Sequence, residues 1–149
     1  MRVSGRAVQR FWVLGVALGL IFLGSGAATR ALARPPQDED WRAPEAAKKV
    51  KNPVPATAAS LAAGKAVYTG NCERCHGDAG KGDGSDANLY DPGPADLSDV
   101  KLMQGMTDGE LFYKITEGRG PMPSFKKDLN DQKRWQAVIY LRTFSKPAK

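Results

Sequence analysis

The sequence predicts one small, mostly α domain, with three main helices joined by Gly/Pro-rich loops. Apolar residues recur at helical spacing in three stretches of the C-terminal part, each bounded by start or stop signals. Nothing alternates with period two for long enough to make a sheet. The 149 residues, 42% of them hydrophobic, give room for one core and not two. Two cysteines are too few for a disulfide-dense scaffold. No internal repeat is present.

Residues 1–33 read as a signal peptide or an N-terminal membrane anchor. Met1–Arg10 carries three arginines and no acid, and an unbroken apolar run, Phe11–Leu23, follows. Small residues come next, and Ala31-Leu32-Ala33 fits a cleavage site. Between Arg10 and Arg30 lie 19 uncharged residues, just enough to span a bilayer, although four glycines weaken that span. Either way the rest of the chain is exported. No cysteine follows the apolar run to serve as a lipoprotein anchor. The segment also accounts for much of the basic character. The formal charge is +6, but four arginines and no acid fall in the first 33 residues, which leaves +2 for the remainder. No basic patch survives, which argues against nucleic acid as a partner.

Residues 34–57 read as an extended Pro-rich linker, with Pro35, Pro36, Pro44, Pro53 and Pro55 and an acidic cluster at Asp38–Asp40. Glu45–Val50 has room for a helical turn or two before Asn52-Pro53 stops it. Trp41 is out of place in a polar tether, and a lone Trp there packs on the domain or on a partner. The domain itself spans 58–146. Its first helix covers about Ala58–Gly70, with Gly64, Tyr68 and Cys72 on one face. The second opens on the capping signal Thr107-Asp108-Gly109-Glu110, buries Leu111 and Ile115, and stops at Gly118. The third begins at Asn130 or Asp131 and runs to Phe144, with Trp135, Val138, Ile139 and Tyr140 as its apolar content. The loops His76–Ser98 and Gly118–Ser124 lie between them.

Chemistry concentrates at Cys72-Glu73-Arg74-Cys75-His76. This is C-x-x-C-H, the attachment pattern of a c-type haem. Two thiols add across the two vinyl groups of the macrocycle. The two-residue gap lets one helical turn present both sulfurs to one porphyrin edge, and the adjacent imidazole reaches the iron. One covalent haem also explains how about 90 residues fold, because it supplies apolar filling that so small a core lacks. Competing readings fit less well. A thiol–disulfide C-x-x-C belongs on a strand-to-helix turn, and here a helix precedes it. Zinc needs four ligands, whereas two cysteines and the chain's single histidine make three. A Cys72–Cys75 disulfide closes too small a loop to stabilise much. With one histidine, bis-histidine ligation is impossible. The second axial position falls to Met, Lys, Tyr, water or nothing, with Met103, Met106 and Met122 as candidates.

From Ser60 to Phe144 the chain resembles the class I monohaem cytochromes c, in their short bacterial branch. The resemblance rests on Gly64-Lys65-x-x-Tyr68-x-x-x-Cys72-x-x-Cys75-His76-Gly77, on Gly80-x-Gly82-x-Gly84, and on Pro94-Ala95-Asp96-Leu97. It continues through Gly118-x-Gly120-x-Met122-Pro123-x-Phe125 and Trp135-x-x-Val138-Ile139-Tyr140-Leu141-Arg142. It implies a small cytochrome c fold wrapped around one covalent haem, a close crossing of first and last helices at Gly64, and Tyr68 packed near Ala137 and Tyr140. It also implies that the Pro94 carbonyl accepts a hydrogen bond from His76, and that a distal Met faces His76. Position favours Met122 over Met103 and Met106. Pro121 and Pro123 fix φ on both its flanks, Gly118 and Gly120 leave room for the porphyrin, and Phe125 can shield the face from water.

Other motifs have ordinary readings. Gly82-x-Gly84-x-x-Ala87 has no strand before it and so makes no dinucleotide site. Asp78–Leu89 lacks the ligands of a calcium loop, and its glycines are expected to let backbone approach the haem. Lys126, Lys127, Lys133 and Arg134 form a mild positive surface, whose sharper reading is a docking rim for a redox partner. The expected function is therefore that of a periplasmic carrier passing single electrons between redox proteins, with no small-molecule substrate and no enzyme activity of its own. His76 with Met122 favours a fairly high potential. The alternatives are a tethered haem subunit of a membrane respiratory complex or dehydrogenase, a haem-based ligand sensor, and a thiol–disulfide protein.

Overall fold

The computed structural model describes residues 41–145, so the expected signal or anchor segment at 1–33 lies outside the described residues. Among the described residues there are six α-helices and no strand. They are α1 (Glu45–Lys48), α2 (Ala58–Asn71), α3 (Glu73–His76), α4 (Val100–Gly105), α5 (Asp108–Glu117) and α6 (Asp131–Phe144). One 3-10 turn, Ala87–Leu89, interrupts the long loop.

The three main helices start where side chains can cap them. Thr57 and Ser60 form a reciprocal capping box at the head of α2. Thr107 accepts from the Glu110 amide at α5, and Asn130 accepts from the Lys133 amide at α6. Each such cap contributes about 1 kcal/mol. Helix α4 is not predicted by the spacing of apolar residues. Its signal is Asp99, whose carboxylate accepts from the Lys101 and Leu102 amides.

Helices α2 and α6 cross at Gly64, as the resemblance implied. A β-carbon on Gly64 would stand 2.1 Å from the Gln136 carbonyl oxygen, so only glycine allows this approach. Below the crossing, Tyr68 packs on Tyr140 and Phe144, with ring centroids 5.4 and 5.0 Å away. The buried Tyr68 hydroxyl donates to the Gly77 carbonyl, and Val138 and Met103 are fully enclosed.

Helix α5 lies against the other side of α6. Phe112 stacks on Trp135 with centroids 4.0 Å apart. Arg142 ties the α4–α5 junction to α6: its guanidinium donates to the carbonyls of Met103 and Met106 and to the Asp108 carboxylate. From Trp41 onward, the segment expected as an extended linker is folded onto the domain. Ala43 is buried, α1 packs on α5, and the Asn52 side chain donates to the Trp135 carbonyl at 3.2 Å.

Candidate functional site

A cavity of about 260 Å³ opens between the α2–α3 corner, α5, α6 and the loops. Cys72, Cys75 and His76 form one wall, and Met122 and Phe125 come from the loop before α6. Leu111 and Ile115 from α5, with Ala137 and Leu141 from α6, make its apolar back. Among the described residues, the charged side chains lining it are Lys114 and Arg119, and no carboxylate faces it.

The α3 turn builds the first wall. Backbone bonds run from the Cys75 and His76 amides to the Cys72 carbonyl, at 3.1 and 2.9 Å. One turn thus presents both sulfurs and the imidazole together, as the C-x-x-C-H spacing requires. The two cysteines are unbridged. Burial, followed by the neighbouring Cys75, pushes the Cys72 thiol up to about 12. Such a group is almost wholly protonated near neutral pH, the opposite of an activated redox thiolate.

His76 is oriented by a carbonyl, but not by the expected one. Its Nδ1 lies 3.1 Å from the Ala95 oxygen. A carbonyl can only accept, so Nδ1 carries the proton and Nε2 presents its lone pair. The Pro94 carbonyl instead packs on Gly82, where φ is +75° and an added β-carbon would stand 2.5 Å from that oxygen. Pro94 itself still lines the cavity. The loop carrying Ala95 is pinned on both sides. The Leu97 amide donates to Gly80 at 2.6 Å, and the Gly82 amide donates to the His76 carbonyl at 2.9 Å. The Asp96 carboxylate accepts from the Ser98 hydroxyl and amide, which holds it below the usual carboxylate range.

The three methionines separate clearly. Met103 is fully enclosed in the core and does not line the cavity. Met106 does line it, but its sulfur receives the Lys114 ammonium at 3.3 Å. Met122 lines it from a tight turn, in which the Arg119 and Met122 backbones exchange bonds of 3.0 and 2.8 Å.

Two smaller expectations are corrected. Gly80 and Gly82 are not among the residues lining the cavity; a β-carbon added there would instead meet the Phe144 ring and the Pro94 carbonyl. Arg134 is no part of an exposed basic rim. It is buried, paired with Asp131, and lies 5.0 Å from the centre of the Phe112 ring.

Sequence reasoning missed Lys114 and Arg119 as lining residues, and left Trp41 undecided between domain and partner. Lys114 had a signal: it falls three residues after Leu111, on the helix face that is buried. The donor set fits a haem. The cavity is apolar, two thiols sit beside an imidazole of fixed tautomer, and the cationic side chains of the wall suit a ligand bearing carboxylates.

Comparison with known proteins agrees. The family model described as cytochrome C oxidase, cbb3-type, subunit III matches residues 59–141, more than half of the chain. The chain is 33% identical over 87 residues to the cbb3-type cytochrome c oxidase subunit CcoP of Azospirillum sp. (strain B510), covering 58% of this chain and 29% of that one. It is 30% identical over 87 residues to cytochrome c6 of Synechocystis sp. (strain ATCC 27184 / PCC 6803 / Kazusa), covering 58% and 67%. Among solved structures it resembles a chain of the Kuenenia stuttgartiensis reducing HAO-like protein complex, with a TM-score of 0.56 and 32% identity, over 65% of this chain and half of that one. The chain thus spans less than a third of the CcoP subunit's length. The helical domain, the cavity with its cysteine–histidine wall and the matched span together show that the chain belongs to the cytochrome c family, haem-binding electron carriers.

Proposed function

We propose that this chain is an exported carrier of single electrons holding one haem covalently. Cys72 and Cys75 would hold the haem through two thioethers, His76 and Met122 would ligate its iron, and Pro94 would pack beside it. The haem supplies the iron that cycles between ferrous and ferric states. The chain does the rest. α3 holds both sulfurs and the imidazole in one wall, the Ala95 carbonyl keeps the proton on Nδ1, and Leu111, Ile115 and Phe125 limit water. The observation that carries this reading is the meeting of Cys72, Cys75, His76 and Met122 in one largely apolar cavity. Met122 is favoured over Met106 because the Met106 sulfur already faces the Lys114 ammonium. Export is supported by the order of arginines, apolar run and small residues in 1–33, and the partners are redox proteins.

Variants of the three methionines test the ligand set. The weak far-red sulfur-to-iron band of the ferric protein should vanish in Met122→Ala and Met122→His and persist in Met103→Leu and Met106→Leu. Met122→His should also lower the midpoint potential, because nitrogen stabilises ferric iron relative to a thioether. Loss of the band in Met106→Leu, with Met122→Ala unaffected, would overturn the choice.

A second reading has its own support. The family description and the CcoP relative are those of an oxidase subunit, which suits a haem domain held in a membrane respiratory complex. Among the described residues no helix is long and apolar enough to cross a membrane, and the apolar run within 1–33 is the candidate anchor. Purification from native membranes separates the two. Co-purification with an oxidase, and an intact mass retaining Met1–Ala28, mark the subunit. A lone chain starting at Thr29 or Arg34 marks the free carrier.

A further inference from the structure

Residues 41–56 precede the matched span of 59–141, yet they are built into the domain. Ala43 is 4% exposed. A β-carbon on Gly109 of α5 would stand 2.1 Å from the Ala47 carbonyl oxygen and 2.6 Å from that of Val50, so α1 lies directly on α5. Asn52 and Val54 continue the contact, on the Trp135 carbonyl and on the core. This docking brings Trp41 to the cavity lining. There its ring centre lies 5.3 Å from the Lys114 ammonium and 5.2 Å from the Arg119 guanidinium.

The two neighbours belong to different parts of the wall. Lys114 is on α5. Arg119 opens the tight turn that ends on Met122. The Arg119 amide donates to the Met122 carbonyl, and the Met122 amide donates back to the Arg119 carbonyl. The base of that turn is equally tight. Gly118 has a φ of +63°, and a β-carbon there would stand 2.5 Å from the Pro123 carbonyl carbon. Moving the Met122 backbone therefore moves Arg119. A cation within about 6 Å of an indole centre is attracted to its face, and the bulk of the ring limits where that side chain can go. Arg119 has further interactions of its own, and the Trp41 face adds to them. We propose that Trp41 is a positioning residue for Met122: the docked segment 41–56 braces the Met122 turn through Arg119 and so holds Met122 in place as a ligand. This rests on the reading of Met122 as an axial ligand.

The test is displacement of Met122 by added imidazole in the ferric, haem-loaded full chain, followed by loss of the far-red band. Imidazole binds only where Met122 has let go, so its apparent affinity reports how firmly the turn is held. Trp41→Leu keeps apolar bulk without the π face. Its band should be present before titration, and imidazole should bind roughly two- to thirtyfold more tightly than to the wild type. Trp41→Phe keeps a π face and should return most of the way to the wild type. Arg119→Gln, which leaves the backbone bonds to Met122 in place, should also tighten imidazole binding. The double variant Trp41→Leu/Arg119→Gln should gain less than the product of the two single factors, because Trp41 acts through Arg119. Gly64→Ala, which lowers stability at the crossing of α2 and α6, should leave imidazole affinity unchanged. Wild-type affinity in Trp41→Leu, no recovery in Trp41→Phe, a strictly multiplicative double variant, or an equal gain in Gly64→Ala overturns the proposal and leaves the ligand reading standing. A far-red band that survives Met122→Ala overturns the ligand reading itself.

Discussion

The crossing of α2 and α6 can be tested by adding a single methyl group. In Gly64→Ala the new carbon would lie 2.1 Å from the Gln136 carbonyl oxygen, 2.8 Å from its carbon and 3.1 Å from the Tyr140 β-carbon. Two of these contacts are backbone atoms, which cannot swing aside, so the helices must part. Such overpacking costs about 1–3 kcal/mol. It also loosens the Tyr68, Tyr140 and Phe144 rings packed below the crossing. With backbone on the receiving side the upper end of that range applies, and alanine returns up to about 1 kcal/mol of helix propensity, so the net loss is about 2 kcal/mol. For a domain of this size that lowers Tm by on the order of 10 °C. Gly70 is the matched control. It lies in the same helix, with nothing within 4 Å of an added β-carbon. Gly70→Ala should gain roughly 0.5 kcal/mol from propensity alone. The assay is thermal unfolding of the haem-loaded protein, followed by circular dichroism. If Gly64→Ala is as stable as the wild type, or if both substitutions shift Tm upward, the close crossing is refuted.

Two further perturbations follow from polar contacts. Arg142→Met removes the guanidinium that binds the Met103 and Met106 carbonyls and Asp108, and should cost about 2 kcal/mol. Arg142→Lys should recover only part of this, since a point charge cannot reach three acceptors in a fork; guanidinium midpoints give the ranking, and a full rescue by Lys would contradict it. The Asp96 carboxyl is lowered by its bonds from Ser98. Its stabilisation is therefore present above the ordinary carboxylate range of about 3.9 and is lost as pH falls through the lower folded value. Midpoints between pH 5 and pH 2 should decline less in Asp96→Ala than in the wild type, and parallel declines would remove Asp96 from the account.

Much of this arrangement was legible because local chemistry specified it. Thr57, Thr107 and Asn130 mark helix starts through their own side-chain bonds, which a sequence shows directly. C-x-x-C-H fixes its geometry within a single turn. What escaped depends on contacts distant in sequence. Whether Pro94 or Ala95 faces His76 is decided by how the loop packs on Gly82, 12 residues away. Arg134 reads as a surface charge until Phe112 covers it. Trp41 stands 73 and 78 residues before the cations that flank it, and no local pattern announces such a pairing. Helix α4 is six residues long, too short for periodicity to register.

The central claim is that Cys72 and Cys75 carry one haem by covalent bonds. The native protein should be denatured, extracted with acidified acetone, and weighed intact by mass spectrometry. The account predicts a coloured chain, heavier by a single haem, with no thiol left to titrate. A colourless chain of polypeptide mass alone, with both thiols free, would contradict it.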